Sequence, residues 1–204
     1  MSRTAIARTP AQVRRLTTAA FFGPPLIVAS SLLIANPDWE AYGIVGGTLA
    51  LIATLTLVAI AAPGAWLTAG GAVLGTAALV APGFVLHGEV LAHQGQKVDV
   101  RVTSVTVGHG RNGQPADTCH LARVDGKPLK HAWMDGDFCD GPGTVGETEQ
   151  VLVDPYGWSS PQPADTDYGG IDVAAGAAAA VPLLLGLVIR RARRNGLRRT
   201  AAAG

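Results

Sequence analysis

The feature that most restricts the fold is residues 41–86, a stretch that contains no charged side chain. A helix needs roughly 20 apolar residues to cross the hydrocarbon core of a bilayer, so this stretch is long enough for two crossings. Pro63-Gly64 interrupts it with a turn signal. The stretch therefore predicts two membrane-spanning helices, over about residues 42–61 and 66–86.

Two more apolar segments flank this pair, at about residues 16–35 and 171–189. Any one of the four segments, taken alone, could be a buried helix of a soluble protein. However, the chain is 48% hydrophobic and only 15% charged, and its charges lie beside the segments rather than deep within them. The sequence therefore predicts a membrane α-helical bundle of four transmembrane helices, three of them within residues 16–86.

The charges at the two ends predict the orientation of this bundle. Acidic residues are absent before Asp38 and after Asp172, whereas ten of the 16 basic residues are arginines near the termini. Basic residues beside membrane spans stay on the cytoplasmic side. We therefore expect a multi-pass protein of the plasma membrane, with residues 1–15 and 190–204 in the cytoplasm and residues 87–168 extracytoplasmic. The arginines are Arg3, Arg8, Arg14, Arg15, Arg190, Arg191, Arg193, Arg194, Arg198 and Arg199.

A cleaved signal peptide is an alternative interpretation of the first apolar segment. Cleavage would leave three spans, and we favour a retained helix. Thr9-Pro10 is typical of a helix start, with a capping side chain before a proline at the first helical position. Gly23-Pro24-Pro25 predicts a kink in the same helix.

The predicted spans contain small residues but no ionisable residue deep within them. Ion and proton pathways usually need such residues, which argues against a transporter or a pump. Gly43 and Gly47 lie four residues apart on one span, as do Gly71 and Gly75 on the next. Small residues at this spacing let helix backbones approach closely. They indicate either a dimerisation face or packing within the bundle, and we favour the bundle.

Residues 87–168 have the pattern of a small β domain with six basic and twelve acidic residues. Valines alternate in KVDVRVTSVTV, and the alternation slips at Thr103-Ser104, which predicts a bulge or a sharp bend of a long strand. Four or five short strands separated by glycine-rich turns predict a small antiparallel barrel or sandwich. A domain of this size has a thin core and benefits from a covalent staple.

The middle and the end of this domain contain clear turn signals. Asp125-Gly126 is typical of a two-residue hairpin turn. Pro128 predicts that the second arm of the hairpin is an edge strand or begins irregularly. The segment ETEQVLVDP predicts a last strand that ends at Asp154-Pro155. Residues 156–170 are interpreted as an extended tether to the last span.

Two short motifs in this domain resemble a widespread bacterial family of uncharacterised multi-pass membrane proteins. They are DGKPL and VGETEQVLVDPYGWSSP, and the resemblance covers roughly residues 97–161. In that family a glycine-bounded strand ending in Val-x-Val/Tyr-Asp-Pro closes a small extracytoplasmic β-barrel. The resemblance implies a barrel like an oligonucleotide/oligosaccharide-binding fold, but no activity and no catalytic residue. The alanine- and arginine-rich composition is similar to that of actinobacterial members, whereas the two cysteines depart from the family pattern.

Cys119 and Cys139 are predicted to form a disulfide, because two cysteines on the oxidising side of a membrane usually pair. The bond would stabilise the domain by roughly 3 kcal/mol. A zinc site is one alternative, but zinc ligands are spaced differently, and the adjacent Cys119 and His120 would point to opposite faces of a strand. A redox site would need C-x-x-C, which the sequence lacks. Free or intermolecular thiols are the remaining alternative.

His120 and His131 are the candidate metal ligands. With the predicted two-residue turn, Val124 pairs with Lys127 and His120 faces His131. Two facing imidazoles could bind a transition metal, or repel each other once protonated at about pH 6. The alternative, which we favour, is that both histidines are ordinary strand residues. We therefore predict no metal and no cofactor.

The sequence offers no nucleophile–base constellation and no phosphate-binding glycine loop, so we expect no enzyme activity. The arginine-rich tail could contact nucleic acid, but contact with anionic lipid is a simpler explanation. We predict a non-enzymatic, membrane-anchored interaction or envelope-accessory module. Its partners would be the lipid bilayer and another protein or a second copy of the chain, not nucleic acid. The alternative is an extracytoplasmic sensor or ligand-binding protein, for a metal ion or for pH, that uses the histidines of the β domain.

Overall fold

The computed structural model describes residues 9–108, 117–135, 139 and 141–202. They form two compact units. The helical unit consists of the described parts of Met1–Ile34, Trp39–Val85 and Asp172–Gly204, and the β unit of Ala35–Asp38 and the described parts of Leu86–Ile171. The predicted cytoplasmic arginines Arg3 and Arg8 lie outside the described residues.

Four long apolar helices are present within the described residues, as predicted. The helices are α1 (Pro10–Ala20), α2 (Gly23–Ile34), α3 (Glu40–Ala61), α4 (Ala65–Gln94) and α5 (Ile171–Ala202). α1 and α2 together form one of the four long apolar segments, over Pro10–Ile34. Each of the four is long enough and apolar enough to cross a membrane.

Helices α4 and α5 continue beyond the apolar segments that predicted them. α4 ends at Gln94 rather than near residue 86, and α5 ends at Ala202 rather than near residue 189. Hydropathy locates the end of an apolar segment, whereas helix propensity and capping decide where the helix ends. The sequence after residue 189 is rich in arginine and alanine, which are strong helix formers. Gly95 follows the end of α4, in agreement with the preference for glycine after a helix.

The start and the break of the first span follow the predicted signals. The Thr9 hydroxyl accepts from the Gln12 backbone N–H at 3.2 Å, and the Gln12 amide oxygen accepts from the Thr9 N–H at 3.0 Å. This reciprocal cap satisfies two donors at the start of α1. Phe21 and Phe22 form a turn between α1 and α2. The two prolines that follow lie in the first turn of α2, where a missing N–H costs no helical hydrogen bond.

Glycines let the helices of the helical unit approach closely. A Cβ atom at Gly43 would lie 2.6 Å from the Ser30 carbonyl oxygen of α2, and one at Gly83 would overlap the carbonyl oxygen of Ser31. The Gly83 N–H also donates to the Ser31 hydroxyl at 2.8 Å. Gly47 lies against a leucine side chain of α4. These glycines therefore serve helix packing within the chain.

Replacing Gly83 with alanine is expected to lower the free energy of unfolding of the helical unit by roughly 1–3 kcal/mol, because the new methyl group has no room beside the Ser31 backbone. Gly70 lies on the same helix, and no atom of the described residues lies within 4 Å of a Cβ added there. Gly70→Ala is therefore the matched control, expected to be neutral or slightly stabilising. Thermal unfolding in a neutral detergent compares the two, and equal melting temperatures would contradict the packing role of Gly83.

The β unit contains, among the described residues, one five-stranded antiparallel sheet. The strands are β1 (Gln96–Thr106), β2 (Thr118–Arg123), β3 (Trp133–Asp135), β4 (Thr148–Val153) and β5 (Gln162–Pro163). Their order is β3-β2-β1-β4-β5, so β3 and β5 are the edge strands. The register of β1 on β2 shifts between Val102 and Ser104. The predicted bulge and the predicted small antiparallel β fold are both confirmed.

The pairing of β2 with β3 differs from the predicted hairpin. Gly126 adopts the expected turn conformation, with a φ of +74°. The ladder resumes only at β3, where His120 pairs with Trp133 rather than with His131. Pro128 has no N–H to donate to a ladder, and His131 has a φ of +53°, which strands do not adopt. The predicted pairing of the two histidines is therefore wrong.

Asp125 closes this turn through its carboxylate. Its oxygens accept from Nε and Nη2 of Arg123 at 2.9 and 2.6 Å and from the Lys127 backbone N–H at 3.1 Å. The hydrogen bond from Arg123 lowers the pKa of the Asp125 carboxyl to about 2. A carboxyl whose pKa is lower in the folded than in the unfolded chain stabilises the fold at pH values above its unfolded pKa. The contribution of Asp125 is therefore lost as the pH falls from about 4 through about 2.

An NMR titration of the Asp125 carboxyl is expected to show a midpoint at about pH 2. Arg123→Gln should raise this pKa towards the ordinary aspartate value of about 3.9, because the main stabiliser of the charged form is removed. The matched control is Lys127→Gln, because the Lys127 ammonium is 3.8 Å from the same carboxylate but is well exposed. An unchanged midpoint in Arg123→Gln would contradict the assigned cause of the shift.

The segment after β4 is only in part the extended tether that was predicted. The Asp154 carboxylate accepts from the backbone N–H groups of Tyr156, Trp158 and Ser159, at 2.9, 2.6 and 3.2 Å respectively. This turn reverses the chain, and β5 then pairs with β4. The tether prediction is therefore wrong as far as Pro163. Single-sequence patterns did not indicate a strand of two residues.

The core of the β unit includes the predicted disulfide. Cys119 and Cys139 are joined with an S–S distance of 2.08 Å and a Cα–Cα distance of 5.6 Å. Both sulfur-bearing side chains are buried in the apolar cluster of the sheet. The other buried members of this cluster are Val100, Val102, Leu121, Met134, Val151 and Val153. The alternation predicted for β1 thus places its valines in or against the core. The disulfide joins β2 to the segment that follows β3.

Candidate functional site

The two candidate histidines have different partners. His120 is exposed on β2, and its Nε2 lies 3.2 Å from the Thr106 hydroxyl. His131 lies in the loop before β3, and its Nε2 lies 3.2 Å from the Gly157 carbonyl oxygen. No hydrogen bond in the described part of the chain joins the two imidazoles. The two imidazoles therefore lack the facing arrangement that suggested a metal site, and the absence of a metal stays a prediction.

The surroundings of His131 are polar and partly charged. Its side chain is only 6% exposed, and its Nδ1 lies 3.9 Å from a carboxylate oxygen of Asp38. The Lys130 ammonium lies 3.4 Å from the other oxygen of the same carboxylate. Asp38 belongs to the short segment Ala35–Asp38 of the β unit. The loop before β3 is therefore held by contacts to Asp38 and to the turn at Gly157.

The β unit has a cleft between its two edge strands. The cleft has a volume of about 430 Å³. Its lining residues come from β3 and from the segment around β5: Trp133, Met134, Asp135, Ser160, Pro161, Gln162, Pro163 and Thr166. In a sheet of this order β3 and β5 would have to pair to close a barrel. The cleft is thus the opening of an incompletely closed barrel.

The prolines around β5 explain why this opening persists. Pro161 and Pro163 flank Gln162, and a proline has no backbone N–H to donate to a neighbouring strand. The Pro163 carbonyl oxygen already accepts from the Thr166 N–H at 3.2 Å and from the Thr166 hydroxyl at 2.8 Å. β5 therefore has little capacity to pair on its outer side, and no strand of the described residues pairs with the outer edge of β3.

The chemistry of the cleft suits binding. Trp133, Met134 and the prolines supply apolar surface, whereas Gln162 and Thr166 supply polar groups. Among the described lining residues Asp135 alone is charged, and it is exposed.

Sequence reasoning did not identify this cleft. Its parts are separated in the sequence, and only the strand order brings β3 opposite β5. The pattern Pro161-Gln162-Pro163 was the available signal, because alternate prolines indicate a strand that cannot pair on one side.

Comparisons of the chain with protein-family models, with curated proteins and with solved structures find no match.

Proposed function

We propose that the protein is an integral membrane protein whose helical unit anchors the β unit as a non-enzymatic interaction module. The outer surface of the helical unit supports the anchoring role, because it exposes large apolar side chains that water would solvate poorly. Trp66 is 92% exposed and Phe84 81%. Helices that are apolar on every side are typical of membrane spans. The bilayer is therefore the first partner of the chain.

The arginines of α5 support a cytoplasmic C-terminus. A groove of about 390 Å³ runs along this helix, lined by Leu187, Arg190, Arg191, Arg194, Asn195 and Arg198. The four arginines of the groove are exposed and have no acidic partner among the described residues. Contact with the phosphates of anionic lipids in the cytoplasmic leaflet satisfies them without a nucleic-acid partner.

The β unit carries the function on the opposite, extracytoplasmic side. The disulfide supports this location, since such bonds persist in oxidising compartments. The observation that carries the function is the open cleft between β3 and β5, which joins apolar surface to an edge of β3 that no described strand pairs. Such a surface is suited to a protein partner.

The strand order also supports the proposed family and fold. In this sheet β1 pairs with both β2 and β4, β2 with β3, and β4 with β5. Closure between β3 and β5 would give a five-stranded barrel, as in oligonucleotide/oligosaccharide-binding folds. The Asp-Pro motif of the bacterial family falls on Asp154, whose carboxylate builds the turn before β5. The chain is thus proposed as an open-barrel member of that family.

A photo-crosslinking residue at Thr166 tests the interaction module in intact membranes. We expect a discrete protein adduct from this cleft position and none from the same residue at Lys127, which is well exposed outside the cleft. The adduct should disappear when Asp135→Lys is added. Adducts of equal yield at both positions, or no adduct at Thr166, would contradict the proposal.

A proton sensor is the second candidate function, favoured by the contacts of His131. Its two ring nitrogens face the Gly157 carbonyl and the Asp38 carboxylate, with Lys130 as the other charged neighbour. A protonated ring has an N–H donor for each acceptor, whereas a neutral ring has one. Amide shifts of the loop before β3 should then depend on pH in the wild type and in His120→Gln, but not in His131→Gln. Identical profiles in both variants would contradict this function.

A further inference from the structure

The free edge of β3 can be identified group by group. The Leu121 N–H donates to the Ala132 carbonyl at 2.8 Å. Cys119 pairs with Met134 two positions further along. Hydrogen-bonding groups alternate in direction along an antiparallel ladder, so those of Met134 face β2, whereas those of Trp133 and Asp135 face away from it. The Trp133 N–H donates to the His131 carbonyl oxygen at 2.7 Å, so the Trp133 carbonyl and both groups of Asp135 are the ones left for a further strand. Among the described residues, no strand pairs with β3 on that side.

The opposite wall of the cleft cannot supply a partner strand. The Ala164 N–H donates to the Gln150 carbonyl at 3.1 Å, which sets the alternation along β5. By this alternation the groups of Gln162 face β4, and those of Pro161 and Pro163 face the cleft. Proline has no N–H to offer there. The two walls are therefore unequal: β3 accepts a strand, and the β5 side supplies apolar surface without ladder hydrogen bonds.

The charge of the cleft selects the type of segment that fits. Asp135 lies on the β3 wall, and Asp165 and Asp167 are exposed on either side of the lining residue Thr166. No lining residue is basic. The domain around the cleft, residues 87–168, has six basic and twelve acidic residues. A basic segment is attracted to this surface and an acidic one is repelled.

We propose that the cleft binds a short, extended, basic segment of a partner protein, which adds to the free edge of β3 as a further strand. Apolar side chains of the segment face Met134 and Pro161 on one face of the strand, and the basic side chains between them lie near Asp135 on the other. This inference rests on the proposed interaction function and specifies its recognition mode. Main-chain hydrogen bonds to β3 supply the affinity. The carboxylates of Asp135, Asp165 and Asp167 select a basic partner over an acidic one.

The test uses full-length protein in a neutral detergent and three labelled heptapeptides. The first alternates valine with lysine, the second alternates valine with glutamate, and the third is the valine–lysine peptide with alternate amides N-methylated. Fluorescence anisotropy should show binding of the valine–lysine peptide, at least about tenfold weaker binding of the valine–glutamate peptide, and loss of binding on N-methylation.

Two protein variants assign the binding to the cleft. Asp135→Lys is expected to reverse the preference between the lysine and glutamate peptides. Asp125→Asn is the matched control, because it removes an acidic charge from the turn before β3, outside the cleft lining, and should leave the preference unchanged. Circular dichroism checks that both variants are folded.

The outcomes separate this inference from the proposed function. Equal binding of the N-methylated peptide would overturn strand addition, and equal binding of the glutamate peptide would overturn the charge selection. A preference that Asp135→Lys leaves unchanged would place the binding elsewhere and overturn the inference. A cleft that binds none of these peptides overturns the strand-addition inference, whereas the absence of any Thr166 adduct in membranes, with Asp135 unchanged, is the result that overturns the interaction function.

Discussion

Replacing both Cys119 and Cys139 with alanine is expected to lower the free energy of unfolding of the β unit by about 3 kcal/mol. The disulfide joins residues with a sequence separation of 20, and it restricts the unfolded chain that must be ordered on folding. Small domains are only marginally stable, so this loss is a large part of the total. Limited proteolysis of the full-length protein in a neutral detergent measures it through cleavage within the β unit.

A reductant provides the control for this prediction. It should increase cleavage of the wild-type β unit and leave the double-alanine variant unchanged, because that variant has no disulfide to reduce. Wild-type protein with the same cleavage rate before and after complete reduction would contradict the stapling role. The helical unit should be unaffected in either case, since it contains no cysteine.

Asp154→Ala is expected to destabilise the β unit by roughly 2–4 kcal/mol. The carboxylate is 7% exposed and accepts three backbone N–H groups, of Tyr156, Trp158 and Ser159. Removing a buried acceptor leaves its donors without partners, at a cost of about 1–3 kcal/mol for each group that water cannot reach. The turn that delivers β5 to the sheet would open, and the cleft would lose one wall. Thermal unfolding followed by tryptophan fluorescence measures the loss.

Two comparison variants make this result specific. Asp154→Asn keeps one oxygen acceptor and is expected to lose less stability than the alanine variant. Asp167→Ala removes a similar carboxylate contact, to the Gly169 N–H at 2.7 Å, but on an exposed turn where water replaces it. We expect less than about 1 kcal/mol there. Equal effects of Asp154→Ala and Asp167→Ala would contradict the structural role of the buried turn.

The four long helices were predictable because their signal is local. The charge-free residues 41–86 are too long for one span and too apolar for a surface segment. The ends of α4 and α5 were less predictable, because the helix continues where apolar residues give way to polar helix formers. The disulfide followed from the cysteine count and the inferred compartment, without knowledge of the sheet.

The register of the central hairpin shows where local signals fail. Asp125-Gly126 was correctly interpreted as a turn, but the turn does not determine where the ladder resumes. Pro128 and the left-handed backbone of His131 delay it until Trp133. Pro128 predicted an edge strand or an irregular start of the second arm, but not the changed register. A backbone conformation such as that of His131 depends on contacts with Asp38 and Gly157, which lie far away in the sequence.

The candidate site was the least predictable feature, because a cleft depends on the strand order. β3 and β5 belong to different hairpins, and their short lengths leave almost no alternation to recognise. His120 and His131 were candidate site residues because imidazoles bind metals and protons. The cleft is instead built from prolines, Trp133 and Met134. Binding surfaces of this kind leave no residue signature comparable to that of a metal or catalytic site.

The central claim, that the membrane-anchored β unit is displayed on the outer face, is tested most directly by cysteine labelling in intact cells. Lys127→Cys introduces a thiol at a side-chain position that is 72% exposed in the β unit, and Arg198→Cys introduces one on the exposed arginine groove of α5. The native cysteines are joined in the disulfide and do not react. A membrane-impermeant maleimide should label Lys127→Cys in intact cells and Arg198→Cys only after permeabilisation. Labelling of Arg198→Cys in intact cells, with Lys127→Cys protected, would contradict the account.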